Sequence, residues 1–91
     1  MPNIKIPTPL RKFTAEKGDV DVAGSTVGEA LRALDAAHPG ILAKIVDDEG
    51  KIRRFINVYA GDEDVRFLDG LATAVGAKDE ISIIPAIAGG R

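Results

Sequence analysis

The sequence predicts an α+β domain in which one main helix packs on a mixed sheet of four to five strands. Three observations carry this expectation. Two short alternating runs lie near the N-terminus, a single capped amphipathic helix follows, and runs rich in β-branched residues fill the second half.

Asn3-Ile4-Lys5-Ile6 alternates polar and apolar residues, the mark of a half-buried strand, and Pro7 and Pro9 close it. Asp19-Val20-Asp21-Val22 alternates in the same way after a turn at Lys17-Gly18, so the two runs are expected to pair as a hairpin with Leu10 and Phe13 covering its loop. Thr26-Val27-Gly28-Glu29 has capping-box spacing, a hydroxyl at the N-cap and a carboxylate three residues later. Val27, Ala30, Leu31 and Leu34 then share one helical face, and His38-Pro39-Gly40 stops the helix. Ile41, Leu42 and Ile45 read as a short turn on the core before the polar loop Asp47-Asp48-Glu49-Gly50. Arg54 to Ala60 reads as the clearest strand, with Ile56 and Val58 inward and Phe55, Asn57 and Tyr59 on the other face. Val65-Arg66-Phe67 reads as a short return strand between turns at Gly61-Asp62-Glu63-Asp64 and Asp69-Gly70. In the last strand Ile81 and Ile83 face inward and Pro85 ends it. The expected core is Ile4, Ile6, Val20, Val22, Leu31, Leu34, Ile56, Val58, Ile81 and Ile83. Residues 1–85 are read as one domain and 86–91 as a flexible tail.

Composition excludes several function classes. A net charge of −2 with two isolated basic pairs, Arg11-Lys12 and Arg53-Arg54, gives no basic stripe for nucleic acid. The absence of cysteine removes disulfides, iron–sulfur clusters and thiol nucleophiles. No apolar run is long enough to span a membrane and no N-terminal apolar segment resembles a secretory signal, so the expected location is the cytoplasm.

The tail Ala88-Gly89-Gly90-Arg91 is the chemically suggestive segment. Without Cβ atoms, a Gly-Gly pair can thread a slot too narrow for other residues. At average glycine usage a given adjacent pair is Gly-Gly only about 0.5% of the time. A terminal Gly90 would carry an unhindered carboxylate suited to activation by ATP. Next to the tail, Phe55, Tyr59 and Ile84 are expected to form an exposed apolar patch rimmed by Arg53, Arg54 and Arg66, a partner-docking surface.

The element order, with Arg54-Phe55-Ile56-Asn57-Val58-Tyr59, Asp62-Glu63-Asp64-Val65-Arg66-Phe67, Gly70-Leu71-Ala72-Thr73-Ala74 and Ile84-Pro85-Ala86-Ile87-Ala88-Gly89-Gly90, resembles the ubiquitin-like β-grasp sulfur carriers. That family includes the small subunit of molybdopterin synthase and the thiamine-pathway carrier. The local match is strongest to its actinobacterial branch paired with a cysteine synthase. The resemblance is specific over residues 53 to 90 and pattern-level before them. It departs at Arg91, since the family usually ends at the second glycine.

The resemblance implies a protein cosubstrate, not an enzyme. An ATP-dependent activating enzyme would adenylate Gly90, sulfur would displace AMP, and the resulting thiocarboxylate would donate sulfur to an accepting synthase. In the cysteine pathway that synthase depends on pyridoxal phosphate, and a metal-dependent peptidase releases the product. Thiamine, molybdopterin and thiolated metabolites are other destinations. ATP, metal and pyridoxal phosphate would belong to the partners, leaving this chain without a cofactor. Arg91 is then a residue trimmed by a peptidase, an artificial addition, or the mark of a member that makes no thiocarboxylate; trimming ranks first. The competing readings are a ubiquitin-like modifier joined to lysines, a permanent small subunit of a sulfur-transferring enzyme, and a plain interaction domain.

The remaining candidates read as structural. Asp47-Asp48-Glu49 and Asp62-Glu63-Asp64 lack calcium-loop spacing and read as solvated charge, with Asp62 and Glu63 also suited to docking on a basic groove. His38 has no partner at metal or triad spacing, so no metal site and no catalytic residue is assigned. Gly24, Gly28 and Gly76 do not form a phosphate loop.

Overall fold

Five strands form one sheet in the computed structural model, which describes residues 1–85. The strands are β1 (Asn3–Lys5), β2 (Asp19–Asp21), β3 (Ile56–Ala60), β4 (Glu63–Asp64) and β5 (Glu80–Pro85), in the spatial order β2-β1-β5-β3-β4. β1 runs parallel to β5 and antiparallel to β2, while β3 runs antiparallel to both β5 and β4. The N-terminal hairpin forms as expected, with Ile4 opposite Val20. Asn3 Nδ2 donates to Asp19 Oδ2 and Asp21 Oδ1 at 2.8 and 2.9 Å, bridging two like charges on the outer strand. The hairpin loop coils into a 3₁₀ turn, Thr8–Phe13, that buries Leu10 and half-buries Phe13.

Helix α1 spans Val27–Ala37 and α2 spans Leu42–Ile45. Thr26 Oγ1 accepts from the Glu29 amide at 3.1 Å, the first half of the capping box. The Glu29 carboxylate reaches one residue further back than the usual box, accepting from Ser25 N at 2.8 Å and Ser25 Oγ at 2.9 Å. These bonds, the backbone one first, hold the Glu29 carboxyl below the ordinary glutamate range. The start of α1 is also tied to the approach of β5: Val27 N donates to Thr73 O and Val75 N donates to Ser25 O, both at 2.9 Å. Close packing there explains two glycines. A Cβ on Gly28 would lie 3.1 Å from Leu71 O, and one on Gly24, whose φ is +150°, would lie 2.7 Å from the Ala30 amide.

The buried face of α1, Val27, Ala30, Leu31 and Leu34, meets Ile4, Ile6, Val22, Val58, Ile81 and Ile83 in one core. Ile41, Ile45, Val65 and Val75 complete it. Three expectations need correction. Val20 is half-buried because it sits on the short outer strand and only flanks the core. The strand expected from Arg54 begins at Ile56; Arg54 and Phe55 form a turn closed by Ile56 N donating to Arg53 O at 2.9 Å. The return strand is Glu63–Asp64, and Val65–Phe67 is a 3₁₀ turn, because Asp64 Oδ1 accepts from Arg66 N at 2.9 Å and curls the chain away from the sheet.

Replacement of Leu31 or Leu34 by alanine should cost about 2–5 kcal/mol in denaturant unfolding, since both are fully buried. Losses near zero at both positions would contradict the helix placement.

Glu29 gives a pH signature. Its folded pKa is depressed, so its contribution to stability is full above the unfolded value of about 4.3 and is lost as pH falls through the lower folded value. Unfolding titrations of wild type should therefore weaken more steeply below about pH 4.3 than those of Glu29→Gln.

Candidate functional site

The described chain ends where β5 hands over to the tail, and the architecture around that point comes from β3. In the register Ile56 faces Pro85, Asn57 faces Ile84, Val58 faces Ile83 and Tyr59 faces Ser82. Residues directly opposite share a face. Val58 and Ile83 therefore point into the core, whereas Asn57, Tyr59, Ser82 and Ile84 line the open face. Tyr59 is half-buried there and Ile84 is 45% exposed.

Phe55, 53% exposed, stands before the strand and has a different setting. It lines an open groove of about 460 Å³ together with Lys44, Asp47, Arg53, Arg54, Ile56 and Pro85. The Arg54 guanidinium lies 5.5 Å from the centre of the Phe55 ring, within cation–π range. Arg53 Nε donates to Ala43 O at 2.9 Å, tying the groove wall to α2. Asp47 Oδ1 accepts from Lys51 N at 3.0 Å and Glu49 N at 2.9 Å. The Lys51 amide foremost, then the Glu49 amide and the Arg53 charge, hold the Asp47 carboxyl below the ordinary aspartate range. The groove thus has an apolar floor at the last described residue of β5 and a rim dominated by three cations.

Arg66 does other work. Its Nη2 donates to Arg53 O and Ile56 O, both at 2.7 Å, and its Nη1 donates to Asn57 Oδ1 at 2.9 Å. The guanidinium fastens the segment after β4 onto the start of β3, and through Asn57 it stands beside Ile84. The residues expected to form one patch are thus divided: Tyr59, Ile84 and Arg66 belong to the open face, and Phe55 and Arg54 to the groove. Lys44 and Asp47 were not anticipated there. Lys44 lies on a helix eleven residues from Phe55 and carries no motif, while Asp47 belongs to an acidic run typical of a solvated loop. Ala88, Gly89, Gly90 and Arg91 lie outside the described residues. Among the described residues no cluster of His, Asp and Glu could hold a metal ion, and no helix is long and apolar enough to cross a membrane.

Residues 4–90 match the ThiS family. The chain belongs to that family. The match takes in the Gly89-Gly90 pair and leaves Arg91 outside. The chain is 44% identical over 89 residues to the sulfur carrier protein CysO of Mycobacterium tuberculosis, covering 96% of each chain. It superposes on a chain of the Amycolatopsis orientalis BexX/CysO complex with a TM-score of 0.93 at 44% identity, covering 99% of this chain and 100% of that one. It is also 38% identical over 66 residues to the small archaeal modifier protein 3 of Haloferax volcanii, covering 72% of this chain and 71% of that protein. ThiS-family β-grasp proteins of this kind are small carriers and not catalysts, and the likeness to CysO supports a sulfur-carrier role.

The two aromatic and basic positions should separate in stability measurements. Phe55→Ala, at an exposed ring, should leave the unfolding free energy within about 0.5 kcal/mol of wild type. Arg66→Ala removes three charge-assisted bonds and should lower it by about 1 kcal/mol or more.

Proposed function

We propose that this chain is a sulfur-carrier protein whose Gly90, once terminal, is activated and converted to a thiocarboxylate that donates sulfur in biosynthesis, with cysteine the favoured product. The observation that carries the reading is the 44% identity to CysO over 96% of both chains, joined to the Gly89-Gly90 pair within the family match. A free carboxylate is too poor an electrophile for sulfide. The Gly90 carboxylate therefore attacks the α-phosphate of ATP, pyrophosphate leaves, and an acyl adenylate forms. Sulfide attacks the acyl carbon, AMP departs with the bonding pair, and Gly90 retains sulfur as a thiocarboxylate, nucleophilic at neutral pH. In the cysteine route this sulfur adds to an aminoacrylate held by the accepting synthase, and a metal-dependent peptidase frees the product.

The chain's own contribution is presentation. The open face with Tyr59 and Ile84 gives a partner apolar area, and the Phe55 groove with Arg54 accepts an apolar side chain flanked by carboxylates. A relative is described in a complex, BexX/CysO, which supports a carrier that works by docking. Activation needs Gly90 at the terminus, so on this reading removal of Arg91 precedes it.

The likeness to a small archaeal modifier protein favours a second reading, in which Gly90 is joined to lysine amines. One experiment separates the two. Full-length and Arg91-deleted proteins are incubated with the cognate activating enzyme, ATP and sulfide, and their intact masses recorded. The deleted form should gain the mass of one oxygen-to-sulfur exchange and lose it on hydrolysis, while the full-length form stays unchanged until a peptidase removes Arg91. Lysine-linked adducts without thiolation would establish the modifier. No reaction of either form would leave Gly89-Gly90 without chemistry.

A further inference from the structure

Phe67 is 86% exposed, more than any other large apolar side chain among the described residues, and Leu68 beside it is 39% exposed. Neither is part of the open face or the Phe55 groove. An exposed ring on a loose loop would carry little meaning, because folded proteins expose much apolar surface. This ring is held out by a tightly fixed segment. Val65, two residues before it, is fully buried, and Leu68 N donates to Val65 O at 3.0 Å. Asp64 caps the turn, Asp69 N donates to Thr73 Oγ1 at 3.1 Å, and Arg66 is fastened to the start of β3 by its three bonds. The Val65 side chain and the Arg66 guanidinium are thus committed to the domain, while Phe67 and Leu68 face solvent. Backbone already fixed in the free protein loses little further freedom on binding.

The segment that bears Phe67 is acidic. Asp62, Glu63 and Asp69 are exposed in the same segment, and none forms an ion pair among the described residues. The only cation of the segment, Arg66, has its guanidinium turned onto two carbonyls and an amide oxygen. The knob is also coupled to the tail's point of departure, because Arg66 bonds Ile56 O and Ile56 is the strand partner of Pro85.

We propose that Phe67 and Leu68 form a docking knob for an apolar socket edged by lysine or arginine on the first protein to receive the tail, the ATP-dependent activating enzyme. This inference rests on the sulfur-carrier reading. Its charge logic is the reverse of the Phe55 groove, whose rim of Lys44, Arg53 and Arg54 suits a carboxylate-bearing surface. A partner that meets both must approach in one orientation, since turning it round would set like charges against each other.

The test uses protein ending at Gly90, the cognate activating enzyme and ATP, with adenylation followed by pyrophosphate exchange as the carrier concentration is varied. Phe67→Ala should raise KM for the carrier tenfold or more while kcat stays within about twofold and the melting curve stays that of wild type. Phe67→Leu should recover part of the loss. Asp62→Lys combined with Asp69→Lys should also raise KM, and wild-type KM should rise with salt. Adenylation of wild type with an unchanged KM for Phe67→Ala would overturn the knob and leave the carrier reading standing. Unfolding of Phe67→Ala and Phe67→Leu alike would make the ring structural and overturn it too. Failure of wild type to be adenylated would overturn both.

Discussion

The fold depends on β5 being paired on both sides. It lies between β1, from the start of the chain, and β3, from its second half, and without it the sheet would fall into two separate hairpins. Both inward side chains of β5, Ile81 and Ile83, are buried against the face of α1, so the strand carries the sheet's continuity and a share of the core together. Its register is fixed by the buried face. A one-residue slip would turn Ile84 inward and Ile83 outward. At the last described residue of β5, Pro85 lies opposite Ile56, beside the groove.

The region between β3 and β5 shows how irregular backbone is stabilised in a chain of this size. Residues 63–75 contain one two-residue strand and two single 3₁₀ turns, too little for the segment to stabilise itself. It is fixed from outside by side chains that satisfy backbone groups: Asp64 on the Arg66 amide, Arg66 on the carbonyls of Arg53 and Ile56, and Thr73 on the Asp69 amide. Val65 and Val75 anchor it in the core, and the bonds of Val27 with Thr73 and of Ser25 with Val75 fasten its end to the helix cap. Charged groups that look like surface decoration in the sequence are thus part of the scaffold. Arg66 supports the turn that it was expected only to border.

This is also where the sequence was least legible. Alternation disclosed β1, β2, β3 and β5 because two faces in different media impose a period of two, and the capping spacing with its apolar face disclosed α1. The same signal failed at Val65-Arg66-Phe67, whose apolar-polar-apolar order imitates a strand although Val65 is buried and Phe67 exposed. The deciding contact, Asp64 on Arg66 N, is a local side-chain bond that periodicity does not encode. Arg54 and Phe55 were assigned to a strand on β propensity, yet Ile56 N is satisfied by Arg53 O in a turn, which rotates the ring out of the sheet's alternation and into the groove. The separation of Phe55 from Tyr59 and Ile84 follows from that one turn. Gly89-Gly90 lies outside the described residues, and the chemistry proposed for it rests on the residue pair and the family match, not on tertiary contacts.

A carrier poses a particular electrostatic problem, since it must be bound by one protein, released, and bound by another through the same few residues at its end. A single large apolar face would serve badly, because tight docking would slow release. The surface near the tail is instead divided by charge. Lys44, Arg53 and Arg54 border the groove together with Asp47, while Asp62, Glu63 and Asp69 are exposed on either side of the turn at Phe67 along the chain. The two areas meet across Arg66, whose guanidinium joins the segment bearing one to the backbone bearing the other. On the proposed sulfur-carrier reading, separate areas of opposite sign would let successive partners share the tail and differ in the surface they use. Each contact can be modest, because oriented charge speeds encounter and rejects the wrong approach without needing deep burial.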